Sequence, residues 1–295
     1  MQVVGVIGAG QMGAGIAQTI AQNGITVMLS DIDIAHAEKG KAGIDKALTR
    51  LVSRDKLSAA DAEAALARIT PVADYAPMAA ADLIIEAATE REEIKRKIFE
   101  AVGQVLSPTA ILASNTSSIP ITRMAASTAD PARFIGLHFF NPVPVMGLIE
   151  VIPGLATSAD TVARTRRFAE SLGKQVVQAE DEPGFVVNRI LLPMINEAVF
   201  VLGQGTANIA DIDKGCRLGL NHPMGPLELA DFVGLDTCLD IIRVLYTTTG
   251  DSKYRPAPLD ISPLSTLKNW GNSSRLVRRI NAPTRVMRSS PRAVD

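Results

Sequence analysis

The sequence has few cysteines, no long apolar run and almost no net charge. Its two cysteines, Cys216 and Cys238, are too few for a disulfide framework or a cysteine-rich metal cluster, so we expect a reducing cytoplasm and no metal. The formal net charge of −1 gives no basic surface, and nucleic acid is not an expected partner. No apolar run approaches the ~20 residues of a membrane span, and the glycine-rich amino terminus is not expected to be a signal peptide. These absences indicate a soluble globular protein.

The amino-terminal part of the chain alternates between strand and helix patterns. Strands are predicted at 3–7, 25–29, 81–88 and 109–115. Helices are predicted at 12–23, at 34–67 in two pieces broken near 56–59, and in the charged segment after residue 90. This alternation predicts an α/β fold with a doubly wound parallel sheet, whose strands end on one edge where ligands bind.

Strand patterns cease after Pro183. Long helical patterns then cover 186–202, 209–218 and 226–247. We therefore predict a sheet domain over 1–183, an all-helical domain over 184–256, and an atypical tail over 257–295. The tail is rich in proline, serine and arginine with little periodicity, so it is expected to be poorly ordered.

A glycine-rich turn, "GAGQMG" at 8–13, joins the first strand to the first helix. Gly8 permits a tight turn, Gly10 lets a pyrophosphate approach the backbone, and Gly13 allows close packing of helix on strand. Gln11 and Met12 complete the turn at the positive end of the helix dipole. In this context the motif predicts a dinucleotide site in a Rossmann-type domain.

Asp31 follows the second strand, 23 residues after Gly8. A carboxylate at this position accepts hydrogen bonds from the adenosine ribose hydroxyls and repels a 2′-phosphate. The expected cofactor is therefore NAD rather than NADP.

His138 stands within the apolar run "RFIGLHFFNP", and the chain has only two other histidines, His36 and His222. Read alone, a histidine in a strand of Phe, Ile and Leu favours a hydrogen-bonded core residue. However, "VMGLIEVIPG" places Glu150 on a second strand, after two prolines that indicate a reversal. An antiparallel pair would bring Glu150 beside His138, where a carboxylate fixes the tautomer and stabilises an imidazolium for proton transfer.

The segment "SNTSS" at 114–118 ends a predicted strand on the same ligand-binding edge. Its hydroxyls and amide are concentrated where a substrate oxygen could lie, although the same residues are also typical of an ordinary turn or cap.

Together these stretches resemble the 3-hydroxyacyl-CoA dehydrogenase family, in particular its short bacterial 3-hydroxybutyryl-CoA members. The resemblance covers residues 1 to about 256 in order and spacing. The matching stretches include "VIGAGQMGAGIAQ", "LIIEAATEREEIKRKIF", "ILASNTSSIPIT", "GLHFFNPVPVM", "PGFVVNRILLPMINEA" and "DIDKGCRLGLNHPMGPLELADFVGLD".

The resemblance implies the reversible, NAD-linked oxidation of an (S)-3-hydroxyacyl-CoA to a 3-oxoacyl-CoA. It implies that His138 is the general acid/base and that Glu150 is its charge partner. It also implies that Ser117 contacts the substrate 3-oxygen near the nicotinamide and that Asn188 hydrogen-bonds near the reacting carbonyl. Further cofactor contacts are implied for Glu90, Lys95 and Asn141, and contacts with the CoA portion for Thr49 and Lys56. The resemblance also implies a homodimer joined through the helical domain.

The sequence departs from the family after "DSKYRP", where a helix and a glycine-rich ending are usual and neither pattern is present. The tail is either a divergent replacement or a product of another reading frame. The sequence is also compatible with two other functions. The protein could be a dehydrogenase of a free hydroxy acid or sugar acid, or a non-catalytic, NAD-binding structural relative.

Overall fold

The computed structural model describes residues 1–258 of the chain. These residues form eight strands: β1 Val3–Ile7, β2 Thr26–Ser30, β3 Ile69–Pro71, β4 Leu83–Glu86, β5 Ile111–Ser114, β6 Phe134–Phe139, β7 Leu148–Pro153 and β8 Gln175–Gln178. They also form ten α-helices: α1 Gln11–Gln22, α2 Ile34–Val52, α3 Ala59–Ala67, α4 Glu92–Gly103, α5 Ile121–Ala125, α6 Ala159–Ser171, α7 Val187–Gly203, α8 Ile209–Gly219, α9 Pro226–Val233 and α10 Leu235–Thr249.

All eight strands belong to one sheet in the order β3-β2-β1-β4-β5-β6-β7-β8. Strands β1 to β6 are parallel, which confirms the predicted doubly wound α/β sheet. Strand β7 runs antiparallel to β6, and β8 is parallel to β7. The strand order reverses between β1 and β4, and ligands bind such sheets in the crevice at the carboxyl ends of the strands beside that point.

Both faces of the sheet are covered, as expected for buried parallel strands. Along β1, Val4 and Val6 pack into one apolar cluster and Ile7 into the cluster on the other face. Phe134 and Phe139 of β6 are buried as predicted. Phe140, the last residue of this apolar run, lies one residue beyond β6 and is only half-buried.

Local sequence explains where the predicted helices begin and end. The Asp33 side chain accepts a hydrogen bond from the His36 amide at the start of α2, and Ser58 caps α3 in the same way. The break predicted near 56–59 is thereby confirmed. The single helix predicted over 226–247 is wrong, because Gly234 has a φ of +102° and divides the segment into α9 and α10.

The described chain forms two compact units. Met1–Met194 and Val233–Arg255 make up the first, and the second contains Ile195–Phe232, with α8 and a small apolar cluster of Ala198, Ile212 and Leu227. A helical carboxyl-terminal domain thus follows the sheet, whereas the boundary predicted at 183/184 stays a prediction. Within residues 1–258, no helix has the length and apolar character to cross a membrane. Apart from its first two residues, the tail predicted over 257–295 lies outside the described residues.

Candidate active site

The glycine-rich turn has the geometry of a dinucleotide site. Gly8 has a φ of +99°, and a Cβ there would lie 2.6 Å from the Ala87 carbonyl oxygen. A Cβ on Gly13 would overlap the Gly8 carbonyl oxygen. By contrast, a Cβ on Gly10 would meet nothing within 4 Å. Gly8 and Gly13 are therefore needed for packing, whereas Gly10 leaves the backbone open to a ligand.

The surroundings of this turn fit NAD. Gly10 is the N-cap of α1 and makes no side-chain cap, so the first amides of the helix are left for another acceptor, and the helix dipole favours an anion there. Asp31 accepts hydrogen bonds from the amides of Ala9, at 2.5 Å, and Ile32, at 2.7 Å. These bonds hold a carboxylate beside the turn, and its remaining lone pairs can accept hydrogen bonds from ribose hydroxyls.

His138 and Glu150 are direct partners across the antiparallel pair of β6 and β7. The His138 Nδ1 atom lies 2.7 Å from Glu150 Oε2, and both side chains are buried, Glu150 with 0% exposed. Glu150 Oε1 accepts the amides of Val186, at 3.1 Å, and Val187, at 2.9 Å, at the start of α7. Since an ionised carboxylate only accepts hydrogen bonds, Nδ1 carries the proton in this pair and Nε2 is left to exchange one.

Two aromatic rings contact the imidazole. The ring centroid of Phe140 lies 4.6 Å from that of His138, and the ring centroid of Phe185 lies 5.6 Å away. Both rings are tilted against the imidazole, at 55° and 59°. These contacts restrict the orientation of the histidine and limit access of water to it.

Glu90 organises the serine-rich loop that follows β5. Its Oε1 atom accepts the Thr116 hydroxyl at 2.6 Å, and both the amide and the hydroxyl of Ser117, at 2.8 and 3.1 Å. Asn115 ties this loop to β6, because its Oδ1 accepts the Phe139 amide at 2.9 Å. The loop that carries Ser117 is therefore held next to the strand that carries His138.

Lys95 is buried beneath this loop, with 1% of its side chain exposed. Its Nζ lies 2.6 Å from Glu86 Oε2 and 3.8 Å from Glu90 Oε2. Glu86 also accepts the Ser114 hydroxyl at 2.8 Å and the Ala88 amide at 2.9 Å. The ion pair thus joins α4 to the end of β4, and the Ser114 hydroxyl links the same carboxylate to the end of β5. Direct contact of Lys95 with a cofactor stays a prediction.

Other predicted site residues lie around this centre. The Gln11 side-chain amide donates to Asn141 Oδ1 at 3.0 Å, which links the glycine-rich turn to the segment after β6. Met12 packs against the apolar core, half-buried. Asn188 is buried, with 9% exposed, and follows Val187 directly in the first turn of α7.

The residues predicted to meet CoA, Thr49 and Lys56, lie on the surface at the end of α2 and in the turn after it. No contact joins either one to the His138 pair, so their role stays a prediction. His36 is exposed and His222 is half-buried.

Sequence reasoning missed three parts of the site. In the sequence, Glu86 is simply the last residue of an apolar strand, and its separation of nine residues from Lys95 gives no indication that the two side chains pair. The contacts of Lys174 also have no signal in the sequence. Its Nζ donates to the carbonyls of Val143 and Met146, both at 2.8 Å, and so fixes the loop after Asn141. The ring of Phe185 on His138 was also missed, although its place in "PGF" just before a helix marked a turn.

Comparison with known proteins gives consistent matches over both parts of the chain. The family model of the NAD-binding domain of 3-hydroxyacyl-CoA dehydrogenase matches residues 3–182, and the model of the carboxyl-terminal domain matches residues 184–271. A 3-hydroxybutyryl-CoA dehydrogenase of Bradyrhizobium diazoefficiens is 53% identical over 256 residues, which cover 87% of each chain. A probable 3-hydroxybutyryl-CoA dehydrogenase of Deinococcus radiodurans is 51% identical, over 86% of this chain and 91% of its own. The crystal structure of an (S)-3-hydroxybutyryl-CoA dehydrogenase from Ralstonia eutropha has a TM-score of 0.85 and 51% identity, over 87% of this chain and 91% of that one.

Proposed function

This chain belongs to the 3-hydroxyacyl-CoA dehydrogenase family, and on that premise we propose that His138, paired with Glu150, transfers the proton in its reaction. The enzyme is an NAD-dependent oxidoreductase that interconverts a short-chain (S)-3-hydroxyacyl-CoA, 3-hydroxybutyryl-CoA, and the 3-oxoacyl-CoA. The observation that carries the residue assignment is the 2.7 Å contact between His138 Nδ1 and Glu150 Oε2, buried at the ligand-binding edge of the sheet.

In the oxidation, His138 Nε2 takes the proton of the 3-hydroxyl group as general base, and in the reduction it returns that proton. Glu150 stabilises the imidazolium that forms and keeps the proton of the neutral ring on Nδ1. NAD, when bound, supplies the hydride acceptor. Ser117 and Asn188 hold the substrate oxygen, and the burial of His138 limits the water around the reacting atoms.

The cofactor contacts that we propose extend from the glycine-rich turn to the serine-rich loop. They are the turn residues Gly8, Gly10, Gln11, Met12 and Gly13, together with Asp31, Glu90, Lys95, Ser117 and Asn141. The hydrogen bonds from the Ser117 amide and hydroxyl to Glu90 support a shared surface for the nicotinamide end and the substrate. Thr49 and Lys56 are proposed to contact the CoA portion, where an exposed ammonium group suits a phosphate.

We further propose the domain division at 183/184, with residues 184–256 forming the substrate and dimerisation domain. Three large apolar side chains of the second unit, Leu218, Leu220 and Phe232, are 76%, 61% and 56% exposed, which supports a homodimer through this part of the chain. Two free thiols, at Cys216 and Cys238, support a cytoplasmic location.

The substrate class is tested by following NADH at 340 nm with acetoacetyl-CoA and, separately, with free acetoacetate. We expect turnover of the thioester at a kcat/KM far above that of the free acid. A free acid that is turned over as well as the thioester would instead favour a dehydrogenase of free hydroxy acids. Binding of NADH without turnover of either compound would favour a non-catalytic relative.

A further inference from the structure

Phe185 has an unusual backbone conformation directly before α7. Its φ is +49°, in the left-handed region that side chains other than those of Asn and Asp rarely adopt. The other non-glycine residues with positive φ within residues 1–258 are Asp55 and Asn221, which are of those tolerant types. A phenylalanine held there indicates that the surrounding structure requires this conformation, and such strain is concentrated at functional sites.

The conformation of Phe185 directs the next two amides onto Glu150. Gly184, with a φ of +76°, and Phe185 form a left-handed turn that is closed by a bond from the Phe185 amide to the Glu182 carbonyl at 2.9 Å. The turn brings the amides of Val186 and Val187 onto Glu150 Oε1. The backbone of this turn therefore fixes the carboxylate of the pair.

The side chain of the same residue contacts the other member of the pair. The Phe185 ring is 5% exposed and packs with Phe134 and Ile152 in one apolar cluster. Its centroid lies 5.6 Å from that of His138, within the range of interacting rings. A glycine would adopt a positive φ without strain. The backbone alone therefore does not account for phenylalanine, whose ring supplies both the contact with the imidazole and the packing in the apolar cluster.

We propose that Phe185 is a positioning residue for the catalytic pair: its left-handed backbone aims two amides at Glu150, and its ring holds the His138 imidazole. This inference rests on the proposed function, because it assigns to Phe185 the orientation of the histidine that transfers the proton. It predicts that loss of the ring lowers kcat and leaves the binding of NADH intact.

The first measurement is kinetic and uses Phe185→Leu and Phe185→Gly, with Phe168→Leu as matched control. Phe168 is equally buried, at 3% exposed, but it lines a groove with Met1, Gln2 and Asp82 at the amino ends of β1 and β4, opposite the ligand-binding edge. We expect both Phe185 variants to lose ~10- to 100-fold in kcat, since a misplacement of about 1 Å can cost 10²-fold. The Kd of NADH should change less than about twofold, and Phe168→Leu should keep the wild-type kcat.

The second measurement does not depend on turnover. With three histidines in the chain, ¹⁵N-histidine NMR is simple, and the His138 Nδ1 proton should give a downfield, slowly exchanging signal that His138→Gln removes. We expect this signal to broaden or vanish in Phe185→Leu and Phe185→Gly and to persist in Phe168→Leu. If the glycine variant does not fold, the leucine variant carries the test.

The outcomes separate the two proposals. An unchanged His138 signal in Phe185→Leu overturns the positioning role, as does an equal loss of kcat in Phe185→Leu and Phe168→Leu. Wild-type protein that shows the signal but turns over no acyl-CoA contradicts the proposed function, and the NMR comparison then still decides the role of Phe185.

Discussion

Replacing Glu150 with glutamine exchanges one carboxylate oxygen for an NH₂ group in the centre of the site. Glu150 is fully buried and accepts bonds from His138 and from the amides of Val186 and Val187. A glutamine of the same size keeps the acceptor for both backbone amides, but its NH₂ group then faces His138 Nδ1. Two donors cannot share a hydrogen bond, so the imidazole must move its proton to Nε2 and accept through Nδ1.

The magnitude follows from this change of tautomer. An Nε2 atom that already carries a proton cannot take one from the substrate, so general base catalysis is lost, and this contributes typically 10²–10⁴-fold. The corresponding Asp-to-Asn change in the serine protease triad, where the cause is the same wrong tautomer, costs about 10⁴-fold in kcat. We therefore expect Glu150→Gln to lower kcat by at least ~10²-fold. Since the bonds from the Val186 and Val187 amides survive and the bond to His138 is kept with its direction reversed but without the carboxylate charge, we expect a loss of only ~1–3 kcal/mol in the free energy of unfolding.

The assay is the initial rate of NAD⁺ reduction at 340 nm with (S)-3-hydroxybutyryl-CoA, the direction in which Nε2 takes the proton, together with the Kd of NADH from fluorescence titration. Glu170→Gln is the matched control, because Glu170 lies on α6 with its side chain 52% exposed. It should leave kcat and the Kd of NADH unchanged. A Glu150→Gln enzyme with kcat within about threefold of wild type would refute the reasoning from the tautomer.

Two further predictions concern the cofactor and the pH dependence of stability. Because the Asp31 carboxylate repels a 2′-phosphate, we expect calorimetry to give a lower Kd for NADH than for NADPH. Asp31→Ser should bring the two Kd values closer together, and tighter binding of NADPH by the wild type would contradict the role of Asp31. The pKa of Asp82 is lowered, chiefly because its carboxylate accepts the Gln2 amide, with a smaller contribution from the Val3 amide, against the opposing effect of partial burial. A carboxyl group whose pKa is lower in the folded state stabilises the fold above its unfolded pKa of about 3.9, and this contribution is lost as the pH falls through the folded pKa. Asp82→Asn should therefore lower Tm at pH 7, and the difference from wild type should shrink below pH ~4; a difference that persists or grows in acid would contradict the assignment.

The sheet was predictable because its strands carry strong local signals. The β-branched run Val3–Ile7, followed by glycine, could only be a buried strand before a turn. Strand β3, with three residues ending in Pro71, was missed because so short a segment has no periodicity. The division at Gly234 was missed because a single glycine is also tolerated within a helix.

Part of the candidate site was also predictable. The spacing and the two prolines after His138 indicated a reversal, and the register of β6 and β7 confirms that His138 and Glu150 are opposite. The positive φ of Phe185 was not predictable, because phenylalanine rarely adopts it and tertiary contacts impose it. The burial of Lys95 against Glu86 depends on the packing of α4, which the sequence around either residue does not specify.

The most direct test of the account compares wild type and His138→Gln in the reduction of acetoacetyl-CoA by NADH, with His36→Gln as control. His36 is 51% exposed on α2 and, within residues 1–258, forms an ion pair with Asp33 alone, so its loss should not affect turnover. We predict that the wild type and His36→Gln oxidise NADH at similar rates, whereas His138→Gln loses at least ~10²-fold in kcat and still binds NADH. Turnover by His138→Gln at the wild-type rate would contradict the assignment of His138 as the proton carrier.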